Sequence, residues 1–140
     1  MKRTMWILAL CVGGMGLQAQ SAGKVTFIGH DKVAQGGTLV TEPNLIVQVN
    51  TRTETGQSEL HDKETDTFYI LSGTATFVTG GEMIASKLTA PGQYRGTGIK
   101  GGETHHLAQG DVMVIPAKTP HWFKEVPGRI EYYVVKVVAP

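Results

Sequence analysis

An all-β fold, a sandwich or barrel of short strands, is what this 140-residue sequence predicts. Three observations carry the prediction. Glycine is abundant, at 18 residues, and turn residues interrupt the chain every few positions, as short strands require. No long segment repeats apolar residues with the helical period. The stretches between turns are rich in β-branched and aromatic residues, which suit a pleated, half-buried surface. Nothing repeats at a fixed interval and no linker divides the chain. One domain over residues 23–140 is therefore expected, large enough to bury roughly two thirds of its unfolded surface without crosslinks.

Residues 1–22 stand apart as a signal peptide. "MKR" is a basic start, "MWILALCVGGMGL" an apolar run, and "QAQSAG" offers small residues for cleavage after Ala19 or Ala22. The apolar run is 13 residues, short of the ~20 a membrane helix needs. A retained anchor is the alternative reading. Export to a secreted or periplasmic location follows, with no membrane attachment after cleavage. Cleavage would remove Lys2, Arg3 and Cys11, the only cysteine, and leave 11 basic against 12 acidic residues. A near-neutral domain gives nucleic acid no electrostatic footing. It also has no disulfide and no thiol ligand, so any metal must be held by nitrogen and oxygen.

The elements then read in order. "KVTFI" is a first strand, followed by a loop, "GHDKVAQGGT". "NLIVQVNTRT" alternates Leu45, Val47 and Val49 with Gln48, Asn50 and Arg52, the strand period. "SELH", "TFYIL" and "TATFVTGGEMIA" follow, the last with a hairpin signal at Thr79-Gly80-Gly81-Glu82. "SKLTAPGQYRGTGIKGGET" reads as an inserted loop or irregular hairpin. "HHLAQGDVMVIPAKTPHWFKEV" and "RIEYYVVKVV" close the chain with strong strand formers.

Candidate chemistry gathers at two places. Glu59 and His61 are two apart, so on a strand they share a face. Asp66 follows after a four-residue turn and is placed to return to that face. In "GDVMVIPAKTPHWF", Pro116 ends one strand and a short turn delivers His121 at the start of the next. Two carboxylates and two imidazoles meeting at one point would hold a divalent cation near charge neutrality, and all are competent ligands. The competing account is a polar barrel mouth with surface ion pairs.

These residues resemble the two motifs of the cupin superfamily, small double-stranded β-helix or jelly-roll barrels. The first motif runs Gly, five residues, His-x-His, three or four residues, Glu, six residues, Gly. Glu59-x-His61, four residues, Asp66, six residues, Gly73 has that spacing, with Glu for the first His and Asp for Glu. The second runs Gly, five residues, Pro-x-Gly, two residues, His, three residues, Asn. Gly110, Pro116, Lys118, His121 and Glu125 stand at those positions, with Lys for Gly and Glu for Asn. "TFYILSGTATF" also looks like the cupin phrase after the acidic ligand. The resemblance spans roughly residues 40–138 and implies a cupin barrel. It further implies one divalent ion, Mn, Fe, Zn, Ni or Co, held by Glu59, His61, Asp66 and His121.

Other residues receive local readings. Lys63 either neutralises Glu64 or Asp66 in the turn or reaches a substrate anion; it and Glu59 are the two candidate proton-transfer residues. Arg52, Tyr94 and Arg95 are read as solvated, His105 and His106 as an exposed loop, and His30 as without a partner. Trp122 and Phe123 are read as packing the barrel wall or a dimer interface. Gly96-x-Gly98-x-x-Gly101 spells a dinucleotide-binding fingerprint, but no helix pattern follows to receive a phosphate. The sequence thus points to a secreted metal-binding cupin acting on a small oxygen-bearing substrate. Lyase, isomerase and dioxygenase chemistries all remain open. A non-catalytic small-ligand or metal-binding protein and a degenerate structural barrel are the alternatives. A homodimer is expected, with "KVTFI" as a pairing strand.

Overall fold

The computed structural model describes residues 23–140; the expected signal peptide lies outside the described residues. The chain begins with a short helix, α1 (His30–Ala34), and strands β1 (Gly37–Glu42), β2 (Leu45–Arg52), β3 (Ser58–His61), β4 (Glu64–Ser72) and β5 (Thr74–Thr79). Short strands β6 (Glu82–Ile84), β7 (Lys87–Ala90), β8 (Gln93–Gly96) and β9 (Gly98–Lys100) come next. β10 (Glu103–Ala108), β11 (Val112–Ile115), β12 (His121–Glu125) and β13 (Ile130–Val138) complete it. One antiparallel sheet has the order β1-β2-β13-β4-β11 and the other β10-β5-β12-β3-β8-β7, with β6-β9 as a separate ribbon. From β2 to β5, and again from β10 to β13, the chain changes sheet at every turn. That alternation winds two facing sheets into a double-stranded β-helix.

The core lies between the sheets. Phe68, Ile70, Phe77, Ile115, Phe123 and Tyr132 belong to one buried cluster. Phe77 and Phe123 meet edge-to-face at 4.7 Å between centroids, an arrangement favoured by the ring quadrupoles. Burying each such side chain contributes about 1.5–3 kcal/mol.

Two turns depend on backbone handedness. Gly73 between β4 and β5 has φ 81°, and a Cβ there would lie 1.8 Å from the Arg129 carbonyl oxygen. Lys118, at the glycine position of the second motif, has φ 65°. It carries the strain that glycine avoids, while its N–H donates to the His61 carbonyl at 2.7 Å.

Several local readings are corrected. Residues 24–28 form no strand, and the next segment holds α1 and β1 rather than a loop alone; Val25 and Phe27 stand exposed. Gly80 and Gly81 make a turn, both at φ 71°, yet β6 pairs with β9 rather than β5, because β10 and β12 occupy both edges of β5 in its own sheet. The glycine-rich segment does form the irregular hairpin, one of its two readings, with β7 pairing with β8 through a register shift, and it sets β8 beside β3. Gly96 ends β8 and Gly98 opens β9, so strand, not helix, follows the false fingerprint. His105 and His106 lie on β10.

Candidate metal centre

A cavity of about 300 Å³ opens between the sheets, with Phe68, Phe123 and Tyr132 of the core in its wall. On β3 the two-residue strand period turns both Glu59 and His61 into it. The neighbouring ladders then supply partners. β12 sets His121 opposite Glu59, and β8 sets Arg95 opposite Glu59 and Gln93 opposite His61. From the facing sheet, β4 brings Asp66 and β13 sets Lys136 directly across from it. The four residues proposed from spacing are thus assembled from both walls.

Their donor atoms converge. His61 Nε2 lies 3.6 Å from a Glu59 oxygen and 3.5 Å from Asp66 Oδ2. His121 Nε2 is 3.9 Å from the same Asp66 oxygen. Glu59, His61 and His121 form one group whose donor atoms all lie within 4.8 Å of one another, and His61, Glu64 and Asp66 form a second. His61, Asp66 and His121 are buried.

The imidazoles are oriented for ligation. His61 Nδ1 donates to Gln93 Oε1 at 2.5 Å, and the Gln93 amide is fixed in that sense because its nitrogen donates to Glu64 Oε1 at 2.6 Å. His121 Nδ1 donates to the Thr119 carbonyl at 3.0 Å. Both rings therefore spend Nδ1–H outward and turn Nε2 inward, the arrangement in which a partner on one ring nitrogen prepares the other for a metal. Each of the two groups, which share His61, offers the mixed nitrogen and oxygen donors that suit a divalent ion.

The electrostatics favour a cation as well. Burial disfavours charge at Glu59, yet His61, Arg95, His121 and Arg52 hold its pKa to about 2. Burial likewise opposes ionisation of Asp66, and His61 and Lys136 overcome it, keeping its pKa below the usual range. Burial works against a charged His61, but Asp66 and Glu59 raise its pKa to about 9. The carboxylates that draw a proton to Nε2 would draw a metal there. Burial keeps His121 below the ordinary histidine value, so its lone pair is available.

Three groups around the site were not legible from the motif spacing. Lys136 Nζ donates to both Asp66 oxygens at 2.8 and 2.7 Å, pairs with Glu64 at 3.0 Å and lies 3.2 Å from His61 Nε2. A protonated His61 makes that last approach a repulsion, offset by the surrounding carboxylates. Arg52 bonds Glu59 at 3.2 Å and the Tyr132 hydroxyl at 3.1 Å, and its guanidinium lies 4.9 Å from the Phe123 ring centroid. Arg95 reaches the other Glu59 oxygen at 3.4 Å. The solvated readings of Arg52 and Arg95 are therefore replaced by cavity roles: the polar face of β2 points into the barrel.

The remaining candidates fall elsewhere. Lys63 bonds the Pro140 carbonyl at 3.0 Å on an exposed surface and does not line the cavity. The β3–β4 turn is only two residues, which carries Lys63 away from the face that holds His61. His105 bonds the Thr79 hydroxyl, and His30 opens α1 on the surface. Phe123 packs in the core, while Trp122 lines the cavity and donates to the Gly56 carbonyl at 2.7 Å.

Solved structures share this architecture at low identity. A Bacillus halodurans protein matches with a TM-score of 0.60 at 13% identity, over 84% of this chain and 85% of that one. A double-stranded β-helix protein from Klebsiella pneumoniae matches with a TM-score of 0.51 at 16% identity, covering 72% and 69%. A cupin family protein from Methanocaldococcus jannaschii matches at 0.51 and 13%, covering 74% and 78%. No protein-family model matches the chain, and no curated protein matches it in sequence. The likeness establishes the fold, a cupin-type double-stranded β-helix.

Proposed function

We propose that this cupin-fold protein holds one divalent metal ion through Glu59, His61, Asp66 and His121, and acts on a small oxygen-bearing molecule in the same cavity. The observation that carries the reading is the inward convergence of both Nε2 atoms on two carboxylates, each ring anchored through Nδ1. When bound, the ion supplies Lewis-acid polarisation of a substrate oxygen. Gln93 holds the His61 ring in place. Arg52 and Arg95 hold the Glu59 carboxylate from two sides. Were it released from the ion, that carboxylate would be the candidate proton acceptor. Against burial, His61 and the arginines hold its pKa to about 2, which makes it a weak base until they let go. Fold alone does not choose a reaction, so lyase, isomerase and dioxygenase substrates form the screening panel.

Elemental analysis of protein purified with supplied Mn, Fe, Zn, Ni and Co tests the reading. About one ion per chain is expected, lost in His61→Ala and His121→Ala variants that remain folded by circular dichroism. Metal near zero in the wild type overturns it. Metal without turnover on any substrate class favours a non-catalytic binding protein instead.

The basic, apolar and small-residue order of residues 1–22 supports export. Pairing of two copies is proposed through the outer face of the five-stranded sheet, where exposed Val112 lies opposite exposed Tyr69 and Val114 and Val137 are also exposed. A monomer mass by light scattering at micromolar concentration would refute the pairing.

A further inference from the structure

A plain metal centre has no use for Lys136. Its ammonium stands among the donor atoms of the His61–Glu64–Asp66 group, 2.7 and 2.8 Å from the Asp66 oxygens, 3.0 Å from Glu64 and 3.2 Å from His61 Nε2. The side chain is 15% exposed. Two carboxylates and an imidazole around one ammonium form the environment a metal ion would occupy, filled by one positive charge instead of two.

The charge count of the cavity gives this arrangement a meaning. Arg52, Arg95 and Lys136 face Glu59, Glu64 and Asp66 across it. With both imidazoles neutral, as ligation requires, the formal charges cancel. A divalent ion that expels the His61 proton leaves two uncompensated positive charges in a site partly withdrawn from water. Uncompensated buried charge is costly, so the loaded site calls for an anion. Arg95 uses its fork on Glu59 and the Tyr94 carbonyl and retains donors for another acceptor. Lys136 has a flexible four-carbon stem able to follow an incoming acceptor. The volume, about 300 Å³, suits a small ligand.

We propose that Lys136 is an internal stand-in cation, which yields Asp66 and His61 to a divalent ion and then holds the carboxylate of a small organic anion. The inference rests on the metal reading above and names the substrate class for that site. It makes Lys136 the coupling residue between metal and ligand. Lys136 lowers the affinity for metal, since the ion must displace it, and raises the affinity for a carboxylate once the ion is in place.

The test is calorimetric titration of wild type and Lys136→Met with Mn(II) or Zn(II), then with malonate, using malonamide as the uncharged control. Lys136→Gln, which leaves Asp66 a hydrogen-bond donor, repeats the comparison if the methionine variant does not fold. Metal should bind the variant at least about tenfold more tightly, as removal of a displaced like charge requires. Metal should strengthen malonate binding to the wild type at least about tenfold, with most of that gain lost in the variant and none seen for malonamide. Metal binding in the wild type with equal or weaker binding in the variant overturns the inference alone. Equal malonate gain in both proteins does the same. Metal taken up only by the variant shows that Lys136 does not yield to the ion, and overturns this inference and the metal reading of the wild type together. Metal in neither protein overturns this inference and the metal reading together.

Discussion

Lys136 and Asp66 face each other across the β13–β4 ladder, and the ammonium donates to both carboxylate oxygens at 2.8 and 2.7 Å. Asp66 is only 2% exposed, so the pair is a buried one. Breaking such a pair strands a charge, whereas replacing both members with apolar residues often costs little. In metal-free protein, Lys136→Met should cost about 3 kcal/mol. Adding Asp66→Leu should restore most of the loss. Urea denaturation of the single and double variants measures both, and an additive double variant would refute the pairing.

Stability of the metal-free protein should peak near pH 6.5. The folded pKa of His61 is raised to about 9, so its contribution is complete below 6.5 and is lost as pH rises through 9. The folded pKa of His121 is depressed, so its contribution is present above 6.5 and is lost as pH falls. Below about pH 4.5 Glu59 adds to the loss, its pKa being held to about 2. Urea midpoints measured with chelator present should trace this dome, and His61→Ala should flatten the alkaline side. Stability rising steadily from pH 6.5 to 9 would contradict the assignment.

Gln93→Ala should weaken metal binding by about 10–100-fold while leaving the fold intact, as loss of an orienting partner does. Gln93 touches His61 and Glu64 and is not itself a proposed ligand. Calorimetry with Zn(II) reads the affinity. Unchanged affinity would show that the His61 ring needs no anchor.

Two backbone changes should move stability in opposite directions. Lys118→Gly relieves a left-handed residue at φ 65° and should stabilise by about 1 kcal/mol. Gly73→Ala forces a Cβ to 1.8 Å from the Arg129 oxygen and should cost about 4 kcal/mol or prevent folding. Thermal unfolding compares both with wild type.

The sequence showed which residues share a face far better than it showed which face is inside. Glu59 and His61 were legible because the strand period fixes their common side, and Asp66 and His121 because motif spacing places them on facing strands. Gln48, Asn50 and Arg52 alternate plainly, yet the barrel turns them inward, since this end of the lumen is polar and holds the cavity. Lys136 left one readable trace. It shares its register with Tyr132 and Val134, both buried, and a lysine on a core-facing register needs partners. Glu64 looked like turn filler because its partners, Gln93 and Lys136, are distant in sequence. The mistaken strand at residues 24–28 followed strand propensity, which tertiary context overrides when no neighbouring edge is offered.

Glu64 ties two parts of the site through separate oxygens, holding Gln93 with Oε1 and Lys136 with Oε2. Gln93 in turn sets the tilt of His61. The carboxylate therefore works like the pivot of a balance: a rotation that follows Lys136 pulls on the amide, and a rotation that follows the amide loosens the ammonium. Imidazole orientation and lysine position share one hinge point, and a side chain outside the proposed ligand set joins their movements.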